Sequence, residues 1–99
     1  MAKKKIVWAD KAKNTLFEIL QFYSDRNGND KYSLKLYGRI KSNITLVSRL
    51  NFIGKLTDKK NIRFIIVSDY QIFYEVKKQS IEVLIIWDCR QDPEKFPDR

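Results

Sequence analysis

The period of the apolar positions changes twice along the chain, and each change marks a new kind of element. Lys5 to Trp8 is a short β-type run that stops at Asp10, a residue type suited to capping a helix N-terminus. Beyond it Ala12, Leu16, Ile19, Leu20 and Tyr23 recur at helical spacing and predict a first helix over roughly 11–25. The stretch Asp25-Arg26-Asn27-Gly28-Asn29-Asp30 carries turn residues and offers Asn29 or Asp30 as the next cap. A second helix then runs to about Leu50, with Ser33, Leu36, Tyr37, Ile40, Ile44 and Val47 on its inner face. Residues 51–60 hold Gly54 with Lys55, Lys59 and Lys60, which reads as a basic loop. From there the period is two. Ile62 to Val67, Tyr70 to Val76 and Ile81 to Trp87 are strand-like runs rich in β-branched and aromatic residues.

The links between these three runs, Ser68-Asp69 and Lys77 to Ser80, are short enough for hairpins, so the strands form an antiparallel meander. The last run is apolar at both parities, which predicts a central strand covered on both faces. The tail from Arg90 to Arg99, with Pro93 and Pro97, reads as irregular or a short helical turn. The order is therefore β-α-α-β-β-β. It predicts an α+β fold in which an N-terminal helical hairpin packs on one face of a mostly antiparallel sheet. Ninety-nine residues hold one such domain, 1–99.

Charge adds a direction to this outline. The net charge is +8, yet residues 1–60 carry 14 Lys and Arg against 5 Asp and Glu, while residues 61–99 carry 6 against 7. The basic surface belongs to the first half of the chain and favours a polyanionic partner, with nucleic acid first and an acidic protein segment second. The row Lys31, Lys35 and Arg39, with Lys41 near its edge, lies off the inner stripe of the second helix and reads as a solvated face or a binding stripe. Cys89 is the single cysteine, so no intrachain disulfide forms and a reducing cytoplasm is the expected compartment. The basic start Met1-Ala2-Lys3-Lys4-Lys5 resembles that of a signal peptide, but Asp10 ends the apolar run that should follow. No apolar run is long enough for a membrane helix. No phosphate-cradling glycine loop, metal-ligand cluster or nucleophile–base pair is present, so no metal, cofactor or small-molecule substrate is expected.

The residues also resemble a known family. Trp8-Ala9-Asp10-Lys11-Ala12, followed by Leu16, Ile19 and Tyr23, is similar to the start of RelE/ParE toxins. The second half is closer. Ile62-Arg63-Phe64 leads to Asp69-Tyr70-Gln71-Ile72-Phe73-Tyr74-Glu75-Val76, then to Ile81 through Trp87, and ends in Asp88-Cys89-Arg90-Gln91-Asp92-Pro93. The resemblance covers nearly the whole chain. It implies the toxin of a type II toxin–antitoxin pair, neutralised by a cognate antitoxin that wraps it with an acidic or amphipathic segment. It leaves the activity open: RelE-like members cleave mRNA in the ribosomal A site, and ParE-like members poison DNA gyrase.

Metal-free RNA cleavage needs a base for the 2′-OH, cations for the phosphate and an acid for the leaving group. The chain has no histidine. RelE-like nucleases use basic residues on the sheet and a tyrosine near the C-terminus instead, and that set is poorly kept here. Arg90 matches the arginine after the last strand. Gln71 stands where an arginine would be, and Phe96 falls near the place of the C-terminal tyrosine. Arg63 is one place out of the second strand's basic positions, and a one-residue shift changes face. Each lost transition-state contact of this kind is commonly worth about 2.7–4 kcal/mol, so the ParE-like reading leads. In it the chain binds gyrase through its basic helical hairpin and C-terminal tail, with Lys55, Lys59, Lys60 and Arg90 as target or nucleic-acid contacts. In the alternative it is a metal-independent endoribonuclease, with Arg90 and Arg63 holding the scissile phosphate. A third reading is a basic binding module without toxicity. Each residue also has an ordinary role open to it: Arg90 can pair with Asp88 and Asp92, Arg63 can lie exposed on a strand, and Tyr70 and Tyr74 can pack inward instead of stacking on bases.

Overall fold

A computed structural model describes residues 3–91. Seven elements follow in chain order: β1 (Lys5–Trp8), α1 (Asp10–Asn27), α2 (Lys31–Arg49), β2 (Lys55–Leu56), β3 (Ile62–Val67), β4 (Tyr70–Val76) and β5 (Ser80–Asp88). The strands form one sheet in the order β1-β5-β4-β3-β2. Strands β2 to β5 pair antiparallel, as the short turns require, and β1 lies parallel beside β5. The helical hairpin and the three-strand meander stand where the periodicity placed them. Among the described residues, no helix is long and apolar enough to cross a membrane.

Three local expectations are corrected. Asp10 is not the N-cap of α1; Ala9 is, and no side chain caps that end. The Ala9 N–H is already bonded to the Val83 carbonyl of the neighbouring strand, while its carbonyl accepts the first helical bond from Lys13. The chain thus turns directly from sheet into helix, and Asp10 sits in the first turn, where its charge suits the helix dipole. Tyr37, placed on the inner stripe of α2, is 40% exposed, and Ser48 takes an inner place instead. The basic loop holds a two-residue strand, β2, in which Lys55 faces Phe64 and Leu56 faces Arg63. Turn composition hid it because two residues carry no readable period.

At the start of α2 the cap expectation splits between its two candidates. Asp30 holds the N-cap position without a side-chain bond, and the Asn29 side chain accepts the Lys31 N–H at 3.0 Å. Between the helices Gly28 closes α1 in the left-handed conformation at φ 71, which glycine adopts without the Cβ penalty.

The core lies between the helices and one sheet face. Ala12, Leu16 and Tyr23 of α1 and Leu36, Ile40 and Ile44 of α2 meet Val67, Ile72, Val83 and Ile86 of the sheet. Buried Ser33 is satisfied across the helical seam, donating to the Leu20 carbonyl at 2.6 Å with the Ser24 hydroxyl 2.9 Å away. β5 is a central strand between β1 and β4, as expected, and a bulge adds to its two-parity apolar pattern. Phe73 pairs with Ile85 and Tyr74 with Val83, so Leu84 is an extra residue in a β-bulge. The bulge shifts the register by one, and Val83 and Ile86 both face the helices although they are an odd number of residues apart.

Candidate functional site

Each candidate arginine is held in a definite local frame. Arg90 folds back at the end of β5. Its backbone N–H and its Nε both donate to Asp88 Oδ1, at 2.9 and 3.0 Å, and its Nη2 donates to Oδ2 at 2.9 Å. This two-point arrangement is the strong form of an arginine–carboxylate pair. Asp69 stands 3.7 Å from Nη1, and Nη2 also reaches the Tyr23 hydroxyl at 3.4 Å. That hydroxyl in turn accepts from Tyr70 at 3.3 Å inside the core. The guanidinium holds the Asp88 carboxyl below the ordinary carboxylate range, and Asp88 raises the Arg90 pKa in return. Arg90 is therefore the outer link of a chain running through Tyr23 to Tyr70. Asp92, the other suggested partner, lies outside the described residues.

Arg63 takes a second frame at the far end of the sheet. It lies opposite Tyr74 on the face that carries the helices, not among exposed ladder residues. Its Nη1 donates to the carbonyls of Phe52 at 3.1 Å and Gly54 at 2.9 Å, and the guanidinium sits 5.1 Å from the centre of the Phe52 ring. Tyr74 completes the frame, accepting the Gly54 N–H at 3.0 Å and donating to the Asn51 carbonyl at 2.9 Å. Lys55 projects from β2, and Lys59 and Lys60 lie on the turn after it. Thr57 shapes that turn by accepting the Lys59 N–H and donating to the Ile62 carbonyl. Gln71 lies on the opposite sheet face, paired with Ile66 and Trp87. Phe96 lies outside the described residues.

The structure therefore gathers Lys55, Lys59, Lys60 and Arg63 at one corner and leaves Arg90 at another. Arg63 is level with Tyr74, while Asp88 is level with Tyr70. Four residues of strand separate the two levels, roughly 13 Å. Tyr70 and Tyr74 are both buried and point into the core. Burial raises the pKa of each; for Tyr70 the Tyr23 hydrogen bond adds to it, while for Tyr74 the Gly54 N–H works against it. A raised phenol pKa favours the folded state only while the unfolded chain keeps its proton. That contribution is complete below about pH 10 and is lost as pH climbs past it. In a phenolate absorbance titration, Tyr70 and Tyr74 are expected to ionise only above the ordinary phenol range, together with unfolding of the chain. Tyr70→Phe should flatten the alkaline fall in stability. Ionisation of Tyr70 and Tyr74 in the ordinary phenol range with the fold intact would contradict their burial.

One feature was missed in the sequence. An open, mainly apolar groove of about 650 Å³ runs along the helical hairpin, between Trp8, Leu16 and Leu20 on one side and Ile40 and Ile44 on the other. Phe17 and Leu34 stand on it at 61% and 69% exposed, beside Lys13 and Lys41. The signal was available. Phe17 and Leu34 are apolar residues outside the inner stripes of their helices, where a helix serving only its own core carries polar side chains.

A helical hairpin on a mixed sheet, closed by an antiparallel meander, is the RelE/ParE-like α+β architecture. Solved structures share it. A chain of the chromosomal ParDE toxin–antitoxin system from P. aeruginosa is similar with a TM-score of 0.73 and 19% identity, over 87% of this chain and 96% of that one. A chain of the E. coli DinJ-YafQ toxin–antitoxin complex is similar with a TM-score of 0.55 and 10% identity, over 88% and 93%. No curated protein matches the chain in sequence. The model of the family of ParE toxins of type II toxin–antitoxin systems (parDE) matches residues 6–93, and the chain belongs to that family.

Proposed function

We propose that the chain is a ParE-like inhibitor of DNA gyrase, neutralised by a cognate antitoxin and without nuclease chemistry of its own. The observation that carries this reading is the division of the two arginines. A phosphate transition state needs its donors within about 3 Å of the same oxygens. Arg63 and Arg90 are fixed at opposite ends of the sheet, one bonded to loop carbonyls and the other to Asp88 and Tyr23. Neither is left to converge on a shared phosphate, and Gln71 supplies no cation between them. Family membership and the structural likeness to a ParDE toxin–antitoxin system point the same way.

The groove on the helical hairpin suits the antitoxin. Apolar walls with Lys13 and Lys41 beside them, against the single carboxylate of Asp30, match an amphipathic segment whose polar side is acidic. Lys55, Lys59 and Lys60 are then left for the target.

Two assays, one with the purified toxin and one after its induction in cells, test the reading. Supercoiling by purified gyrase is expected to fall as toxin is added and to recover when antitoxin follows. Primer extension on a translated mRNA after induction is expected to show no codon-linked cuts. Such cuts, lost in Arg90→Ala, would establish the endoribonuclease instead. Growth unaffected by expression of the chain would leave only the non-toxic binding module.

A further inference from the structure

Lysines from distant parts of the chain meet at one end of the sheet. The parallel pairing of β1 with β5 sets Lys5 level with Ser80, with the Lys5 N–H on the Gln79 carbonyl. That brings Lys3, Lys4 and Lys5 against the β4–β5 turn, which carries Lys77 and Lys78. On the other flank the Val76 N–H donates to the Asn61 carbonyl at 2.8 Å, and the Ile62 N–H to that of Lys59 at 3.3 Å. The turn bearing Lys59 and Lys60 thus joins the same end. Seven lysines gather there against Asp58, Glu75 and Glu82, which leaves +4 of the chain's +8. The opposite sheet end carries Asp69 and Asp88 with Arg90, and Lys11 stands near them.

The arrangement concentrates charge that nearby carboxylates only partly offset. Lys77 pairs with Glu82 at 2.6 Å. The Lys4 ammonium instead donates to the carbonyls of Lys77 and Lys78, at 2.6 and 3.0 Å. It is pinned beneath two further lysines by neutral acceptors. Like charges held within a Debye length repel, and a bound polyanion relieves that cost.

We propose that this end of the sheet docks on the phosphate backbone of duplex DNA, without reading its sequence. From β1 to β3 the sheet spans three strand spacings, about 14 Å, close to the rise of about four successive phosphates on one strand of B-form DNA. The charges are lysines, compact point charges that bind phosphate without a directional fork. Single-stranded nucleic acid is gripped by stacking bases on aromatic rings, and the Lys3–Lys5, Thr57–Asn61 and Lys77–Ser80 segments contain none. An amphipathic acidic protein segment needs apolar surface beside the charge; exposed Phe52 and Leu56 border Lys59 and Lys60, but the Lys3–Lys5 and Lys77–Ser80 segments are polar throughout, and the larger apolar groove lies on the helices.

The test needs no gyrase, so its failure and that of the gyrase reading are separable. The purified full-length chain is titrated onto a short labelled duplex of arbitrary sequence by fluorescence anisotropy, between about 50 and 200 mM salt. Binding is expected in the nonspecific range, with log K falling linearly against log salt. The triple variant Lys5→Gln, Lys60→Gln and Lys78→Gln takes one exposed lysine from each segment and is expected to reduce the salt slope by about 3. Its affinity should fall about 10- to 100-fold at the lower salt. A control with the same charge change, Lys31→Gln, Lys35→Gln and Arg39→Gln on α2, should keep the slope within about one unit. Thermal unfolding confirms that both variants are folded; if the triple is not, the single changes at Lys60 and Lys78 should each lower the slope by about 1. Absence of duplex binding, or an equal loss in the α2 control, overturns the proposal. So does tighter binding of single-stranded RNA or of poly-glutamate than of the duplex at this end.

Discussion

Tyr74→Ala is expected to cost about 3–5 kcal/mol, as deletion of a buried large aromatic side chain commonly does. Tyr74 is fully buried, and it packs with Val47 and Ile81 where α2 meets the sheet. Its hydroxyl also closes the segment after α2, bonding the Gly54 N–H and the Asn51 carbonyl. Against a usual domain stability of about 5–15 kcal/mol, such a loss leaves the chain near unfolding at physiological temperature. The companion change Tyr74→Phe keeps the ring and removes only the bridge. The buried Gly54 N–H and the part-buried Asn51 carbonyl then lose a partner, for about 1–3 kcal/mol, or a fall in Tm of roughly 4–8 °C for each kcal/mol. Gly54→Ala attacks the same contact from the other side, since a Cβ there would lie 2.5 Å from the Tyr74 hydroxyl and 2.9 Å from the Phe64 carbonyl oxygen. Thermal unfolding followed by circular dichroism measures all three. A Tyr74→Phe midpoint equal to that of the parent chain would show that the bridge contributes nothing.

The second large effect concerns binding and leaves the fold intact. Phe17→Asp and Leu34→Asp place a carboxylate on the walls of the groove at positions already more than half exposed. Their Tm should stay within a few degrees of the parent's, because little buried area is lost. If the groove seats an acidic amphipathic antitoxin segment, each change removes an apolar anchor and adds like-charge repulsion. Central anchors of this kind are worth about 2 kcal/mol or more, so the Kd for the cognate antitoxin should rise at least about 30-fold. Gyrase inhibition, if carried by other surfaces, should persist, and co-expressed antitoxin should no longer rescue growth. Unchanged antitoxin affinity in both variants would move the seat elsewhere.

The outline of the fold was legible because helices and strands write their period into neighbouring residues. The stripe Leu36, Ile40, Ile44 and Val47 needs only local spacing to be recognised, and so do the alternating residues of β3 and β4. The exceptions are instructive. Leu84 looked like an ordinary strand residue, because a bulge shows only in the pairing with Phe73 and Tyr74 across the sheet. Residue type placed Asp10 as a cap, but the bond from the Ala9 N–H to Val83 had already settled where the helix starts.

What the amino-acid order determined alone was the succession of elements, the excess of positive charge in the first sixty residues and the resemblance carried by the second half. All three are local or additive properties. The positions of the arginines and lysines were decided by tertiary pairing. Arg63 met Phe52 and Gly54 because β2 paired with β3 and Tyr74 drew in the loop. Arg90 joined Tyr23 across 67 positions of sequence. Lys3–Lys5 came to lie beside Lys77 and Lys78 because β1 chose the free edge of β5 in a parallel register. Contacts between residues so far apart depend on which strand edges and helix faces remain unsatisfied once the core has closed, and no local period encodes that choice.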